Sequence, residues 1–167
     1  DGNYTANPAW AVLQGNWQVD AAGLRSDVPA ASGAQAGGVA AIALPQRMPN
    51  AFAIGFDLQA FAGGQFELRV YQGAAREAGY RLVYRADASP SFAIYRSGSS
   101  GIRQLSATTS AQALPSGGKA RIGWTRDAAG VMRVTLDGRE ILTATDSAFR
   151  DPWEGVLLVN FGGNFAT

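Results

Sequence analysis

Ala120-Arg-Ile-Gly-Trp-Thr-Arg126, Asp127-Ala-Ala-Gly130, Val131-Met-Arg-Val-Thr-Leu136, Asp137-Gly138 and Arg139-Glu-Ile-Leu-Thr-Ala-Thr145 run consecutively, and after a loop Gly155-Val-Leu-Leu-Val-Asn160 follows. This stretch decides the fold. Both central residues of a type I′ turn need positive φ, which Asp and Gly tolerate. The flanks of Asp137-Gly138 alternate and are β-branched, so the sequence predicts a tight hairpin. A two-residue turn sets Leu136 opposite Arg139, Val134 opposite Ile141 and Met132 opposite Thr143. One face then carries Met132, Val134 and Ile141. The other carries Arg133, Thr135, Glu140 and Leu142, with Arg133 and Glu140 placed for a cross-strand ion pair.

The same period-2 pattern extends in both directions. Trp10–Gly15, Trp17–Asp20, Leu24–Ser26 and Val39–Leu44 read as strands, the last stopped by Pro45. Ala51–Leu58, Gln65–Tyr71, Gly79–Arg85, Ser91–Arg96 and a weaker Ile102–Ser106 follow. About a dozen strands separated by turn residues, with no amphipathic helix, predict two antiparallel sheets in a sandwich or jelly roll. Residues 1–167 are expected to form one domain, with the Ala/Ser/Gly-rich stretch 27–38 a loop inside it. The Trp10 region is expected to lie close to the strand Val156–Asn160.

Composition excludes several kinds of chemistry. The chain has no Cys and no His, so thiol catalysis, disulfides, His-based triads and the usual zinc sites are absent. A formal net charge of +1 gives no electrostatic case for nucleic acid or an anionic membrane. No apolar run reaches the ~18 residues that a membrane-spanning helix needs. Beginning at Asp1, the chain is expected to be a processed product or an excised domain.

Certain residues carry a family likeness. Asn7-Pro8-Ala9-Trp10, Gly15-Asn16-Trp17-Gln18-Val19 and Gly23-Leu24 resemble the opening of many concanavalin A-like lectin/glucanase domains. The Trp124 strand, the Val-Thr-Leu-Asp-Gly hairpin at 134–138, the Asp that follows and the Gly-Val-Leu strand at 155–157 resemble their close. The likeness spans nearly the whole chain, through loose motifs. It implies an all-β, two-sheet antiparallel β-sandwich of the concanavalin A-like jelly-roll kind. It also implies a bacterial surface type of domain at an extracellular or cell-surface location, the periplasm being the alternative. Contact with carbohydrate or a surface protein is the expected work; it names no ligand.

The paired-glutamate strand motif of the family 16 glucanases, Glu-x-Asp-x-x-Glu, is absent. The four glutamates are Glu67, Glu77, Glu140 and Glu154, and none has an Asp two residues on. A retaining glycosidase needs two carboxylates about 5 Å apart. Glu67, the interior-strand carboxylate, is either half of such a pair or the partner of a neighbouring arginine; the expectation is no catalysis. Calcium is bound by many laminin-G-like relatives, and structural calcium through Asp1, Asn3, Asp146, Asp151, Asn160 or Asn164 is one reading. Turn-forming and strand-end hydrogen bonding is the other, since calcium wants six to eight oxygens. Trp10, Trp17 and Trp124 sit in alternating strands and are expected in the core. Trp153 lies in a loop, either as an exposed aromatic for a sugar ring or as a lid over one end of the sandwich.

The candidate ligand face comes from register. Phe66, Leu68 and Val70 fit with Tyr80, Leu82 and Tyr84 as one core face. The opposite face then gathers Glu67, Arg69, Tyr71, Arg81, Val83 and Arg85, and Tyr95 joins it if the next strand buries Phe92 and Ile94. Arginine and tyrosine together suit sugar hydroxyls, carboxylates or a protein partner; an ordinary solvated face with Arg–Glu pairs is the competing reading. Two functions compete: a non-catalytic recognition module, with Tyr71 and Tyr95 as flat apolar contacts, and a structural or assembly domain that self-associates through an exposed edge strand. A glycoside-active enzyme is third.

Overall fold

A computed structural model describes residues 10–21, 23–29, 38–115 and 117–167, without the side chains of residues 61 and 62. Within them the chain forms fourteen strands and no helix. They are β1 (Ala11–Gln14), β2 (Gln18–Asp20), β3 (Gly23–Asp27), β4 (Val39–Leu44), β5 (Phe52–Ala62), β6 (Gln65–Gln72) and β7 (Ala78–Arg85). β8 (Ser91–Gly98), β9 (Gly101–Ala107), β10 (Ala120–Arg126), β11 (Val131–Leu136), β12 (Arg139–Thr145), β13 (Gly155–Phe161) and β14 (Asn164–Ala166) complete them. Two seven-stranded antiparallel sheets result, ordered β1-β4-β13-β6-β7-β8-β9 and β12-β11-β10-β5-β14-β3-β2. The all-β, two-sheet jelly roll predicted from alternation and turn chemistry is the fold observed.

Alternation does what strand geometry requires. Phe66, Leu68, Val70, Tyr80, Leu82 and Ile94 of the first sheet point inward, against Ile122, Trp124, Met132 and Val134 of the second. All are nearly inaccessible to solvent. Burying large apolar side chains at roughly 1.5–3 kcal/mol each is the main force holding the sheets together. Trp17 and Trp124 are buried in this core and Trp10 packs against its edge. Trp10 lines a cleft with Val156 and Leu158, which puts the start of the described chain beside β13 as expected.

The Asp137-Gly138 turn has φ of 50° and 82° at its two residues, as a type I′ turn needs. Leu136 faces Arg139 and Thr135 faces Glu140, but the ladder then shifts, pairing Val134 with Leu142 and Met132 with Ala144. The predicted pairs Val134–Ile141 and Met132–Thr143 are therefore displaced by one residue. Ile141 is the extra residue of a bulge, which turns Leu142 from the outer face into the core. Arg133 still reaches Glu140, at 3.5 Å.

Strand β14 was not among the predicted strands. Only three residues long, it lies between β3 and β5 in the second sheet.

Candidate functional site

The registers of β6, β7, β8 and β13 define the outer face of the first sheet. Glu67 sits opposite Val83 and Val159, Arg69 opposite Arg81 and Leu157, Tyr71 opposite Gly79 and Gly155, and Gln65 opposite Arg85 and Phe161. Arg81 in turn faces Tyr95. Glu67, Arg69, Tyr71, Arg81, Arg85 and Tyr95 thus share one face, with Val83 among them. Two-residue periodicity and a consistent inner face suffice for this, because a slip by one residue would bury every charge.

The environment of those side chains differs from the solvated face of the competing reading, although an Arg–Glu pair is present. Glu67 is only 3% exposed. Its Oε1 accepts a hydrogen bond from Gln65 Nε2 at 2.6 Å and its Oε2 one from Arg69 Nε at 2.6 Å, while Arg81 Nη1 stands 3.8 Å away. Arg69 and Arg81 are themselves mostly covered. Arg69 also leans over the Phe161 ring, 5.8 Å from its centroid. Of the two readings of Glu67, the arginine-paired one is what the structure holds. Val83 and Val159 flank it across the ladder and no carboxylate stands directly opposite.

Tyr71 departs further from expectation. It was to offer a flat exposed ring, but it is 3% exposed. A side chain at Gly155 would place its Cβ 2.5 Å from the Tyr71 hydroxyl, so the ring occupies the space that this glycine leaves. Leu157, Val159, Ala41 and Ala43 join it in a second, smaller hydrophobic cluster on the outer side of the sheet. The Arg76 guanidinium lies 5.8 Å from the ring centroid. Tyr71 is therefore a packing residue and is removed from the ligand-contact set.

On the β7–β8–β9 side the face opens into a shallow groove of about 160 Å³, lined by Gln65, Glu67, Arg81, Val83, Arg85, Tyr95 and Ile102. Arg85 donates from Nε to Gln65 Oε1 at 3.2 Å and from Nη2 to the Tyr95 hydroxyl at 3.4 Å. The Tyr95 hydroxyl donates to Gln104 Oε1 at 2.9 Å. Ile102 is 60% exposed beside them. Gln65, Ile102 and Gln104 were missed from sequence. Gln65 was findable, being two residues before Glu67 on the same strand. Gln104 was not, because the β8–β9 ladder shifts between Ile94 and Tyr95.

Arg81 is the anomalous member of the groove. Its Nε is buried without an acceptor, and its guanidinium makes no hydrogen bond within the described residues. Burial lowers its pKa from the ordinary arginine value, and the Arg69 charge directly across the ladder lowers it further. Like charges set opposite one another on neighbouring strands are destabilising.

The remaining sequence candidates have structural duties. Trp153 is fully buried, so the exposed-aromatic reading is corrected to that of a lid. It bridges to Met48, donates from Nε1 to Asn50 O at 3.0 Å, and packs edge-on to Phe52, Tyr80 and Phe149. Asp146 accepts from the Tyr80 hydroxyl at 2.7 Å, from Ala148 N at 2.9 Å and from Arg96 Nη1 at 3.0 Å. Burial pushes the Tyr80 hydroxyl up to about 12, and the bond to Asp146 adds to the rise. Burial alone would raise the Asp146 pKa, but the bonds from Tyr80 and Ala148 and the Arg96 charge outweigh it and hold the carboxyl below its ordinary value.

Asn160 is buried and donates to Ser26 O, Ser26 Oγ and Gly163 O, while Asn164 Oδ1 accepts from Arg25 Nε. Asp151 contributes its carbonyl to Asn50 and Gln72. Asp1 and Asn3 lie outside the described residues. Among the described residues, no group of three or more acidic side chains is arranged to hold a metal ion, and no helix is long and apolar enough to cross a membrane.

No protein-family model matches the chain, and no curated protein matches its sequence. Solved structures do match its shape. A carbohydrate binding module from Bacillus subtilis aligns over 94% of this chain and 90% of its own, with a TM-score of 0.72 and 15% identity. The carbohydrate recognition domain of Emp46p, in its metal-free form, aligns over 98% and 87% with a TM-score of 0.74 and 11% identity. A Bacillus licheniformis β-glucanase aligns over 93% and 79% with a TM-score of 0.64 and 10% identity. Strand order, sheet pairing and these matches together show the two-sheet antiparallel jelly-roll fold, the architecture shared by that binding module, that recognition domain and that glucanase.

Proposed function

We propose that residues 1–167 act as one non-catalytic module that binds carbohydrate in the groove on the outer face of the first sheet, in an extracellular or cell-surface setting. One observation supports this most. Arg85, Tyr95, Gln65 and Gln104 are locked to one another by hydrogen bonds on adjacent strands, beside the exposed apolar Ile102. Sugars present hydroxyls on their edges and C–H groups on their faces. A rigid set of polar groups next to an apolar wall suits both, and rigidity lowers the entropic cost of binding. The fold is shared with a carbohydrate binding module and a carbohydrate recognition domain, which raises the prior for this ligand class. The isolation of Glu67 from any facing carboxylate argues for binding without hydrolysis.

A glycan array tests the reading with wild-type protein and an Arg85→Ala/Tyr95→Ala variant of unchanged circular dichroism. Wild type is expected to retain defined glycans and the variant to retain them at least tenfold less. Retention of no glycan, or equal retention by both proteins, overturns the assignment.

A second reading has its own support. Strand β1 ends one sheet and β2 the other, and Val12, Leu13 and Val19 on them are exposed. Unpaired edges with apolar side chains favour self-association in an assembly. Light scattering on the array sample separates the two: mass rising with concentration, without glycan retention, belongs to assembly.

A further inference from the structure

We infer that the saccharide taken by this groove is acidic, carrying a carboxylate or a sulfate ester; this rests on the carbohydrate-binding reading and narrows it. The inference comes from counting donors and acceptors. Three guanidinium groups, Arg69, Arg81 and Arg85, stand around one carboxylate, Glu67. Both oxygens of Glu67 are already engaged, by Gln65 and Arg69. Arg81 reaches it only at 3.8 Å and donates no hydrogen bond from its guanidinium within the described residues. Among the described residues, Arg85 is met by neutral oxygens alone, those of Gln65 and Tyr95.

The surrounding elements do not correct the imbalance. β13 presents Leu157, Val159 and Phe161 to this face, and β8 and β9 present Tyr95, Gln104 and Ile102. Glu77, before β7, acts on Arg81 more weakly than Arg69 and Glu67 do. The groove therefore keeps a net positive charge in a partly desolvated place. Arg69 and Arg81, directly opposed, repel each other.

A neutral sugar would leave that repulsion in place. An anionic group entering beside Arg81 and Arg85 would supply the missing acceptor oxygens, and guanidinium groups bind planar or tetrahedral oxyanions through paired, charge-assisted hydrogen bonds. The exposed Ile102 then meets the ring that carries the acidic group.

Titration calorimetry with matched oligosaccharides tests this. One pair is oligogalacturonate and its full methyl ester, which keeps the backbone and removes the charge. The other is a sulfated galactan oligomer and its desulfated form; the two pairs distinguish carboxylate from sulfate. At least one acidic member is expected to bind ten times or more tighter than its neutral partner. Arg85→Ala is expected to weaken the acidic form at least five times more than it weakens the neutral form. Arg121→Ala removes an exposed positive charge from the other sheet and is expected to change neither by more than twofold. Arg85 is exposed, so its variant keeps the fold.

Binding of the neutral members as tight as that of the acidic ones overturns the inference and leaves the carbohydrate reading intact. Equal losses in Arg85→Ala and Arg121→Ala overturn it as well, by showing attraction to overall charge. Failure of every acidic and neutral glycan to bind removes both readings together.

Discussion

Two arginine-rich regions of this molecule are solved in opposite ways. At one end of the sandwich, Arg126 is 3% exposed and surrounded by carbonyls. Its Nη1 donates to the Asn50 side chain, Asn50 O and Asp127 O, and its Nη2 to Asp146 O and Phe149 O, while its Nε, like that of Arg81, has no acceptor among the described residues. Tyr80 lies beneath it, 5.6 Å from ring centroid to guanidinium carbon. Four separate segments are tied together by one side chain. On the outer face of the first sheet, three arginines share one carboxylate and some neutral oxygens. Where the acceptors belong to the backbone and surround the charge, arginine is a structural fastener. Where acceptors are short and the groove is open, the guanidinium groups are what the proposed saccharide would engage.

The largest effect that separates the two is expected at Arg126. Arg126→Met should remove one donor from each of the carbonyls of Asn50, Asp146 and Phe149, which keep those of Trp153, Tyr80 and the Asn50 amide, and should cost about 3 kcal/mol, the usual result of breaking a buried charged network. Urea unfolding measures it; a loss under about 1 kcal/mol would erase the distinction drawn here.

Glu67→Gln comes next. It removes the one negative charge between Arg69 and Arg81 but keeps an acceptor oxygen, so the expected loss is about 2 kcal/mol, less than breaking a wholly buried pair. Equal or greater stability than wild type would mean that the arginines never needed Glu67. The comparison sharpens if added sulfate restores stability to this variant and not to Arg126→Met.

The smallest effect concerns acid stability. Asp146 has a folded-state pKa below its ordinary value of 3.8, so its contribution is present above that value and lost as pH falls through the lowered one. Thermal unfolding of wild type and Asp146→Asn between pH 6 and pH 2 should show the variant less stable at pH 6, with the difference closing toward pH 2. A constant gap would place Asp146 outside the proton-linked set.

What could be read from sequence, and what could not, divides by range. Asp137-Gly138 names its own turn because φ is a local property. The bulge at Ile141 is invisible in the same residues, since it serves the packing of Leu142 into the core. The placement of Glu67, Arg69, Arg81, Arg85 and Tyr95 on one face followed from period-2 alternation. The covering of Tyr71 did not, because it depends on Gly155, brought alongside by a strand from far along the chain. Trp153 left two readings open for a similar reason. A Pro-Trp in a loop looks exposed until Met48 is known to pair with it. The three residues of β14 carry too short a pattern to register at all.

That short strand governs the order of assembly. Among the described residues β14 is the strand that joins β3 to β5, and its Asn164 accepts a hydrogen bond from Arg25 of β3 across 139 positions. Such distant closures are slow, because chain entropy must be lost before any contact rewards it. During synthesis the hairpin of β2 and β3 emerges early but has no place to dock until residues 164–166 leave the ribosome. For that interval β3 and β5 both present open hydrogen-bonding edges, the features from which aggregates grow. The rate of refolding, and the yield of the protein made in a cell, are thus tied to the arrival of three late residues.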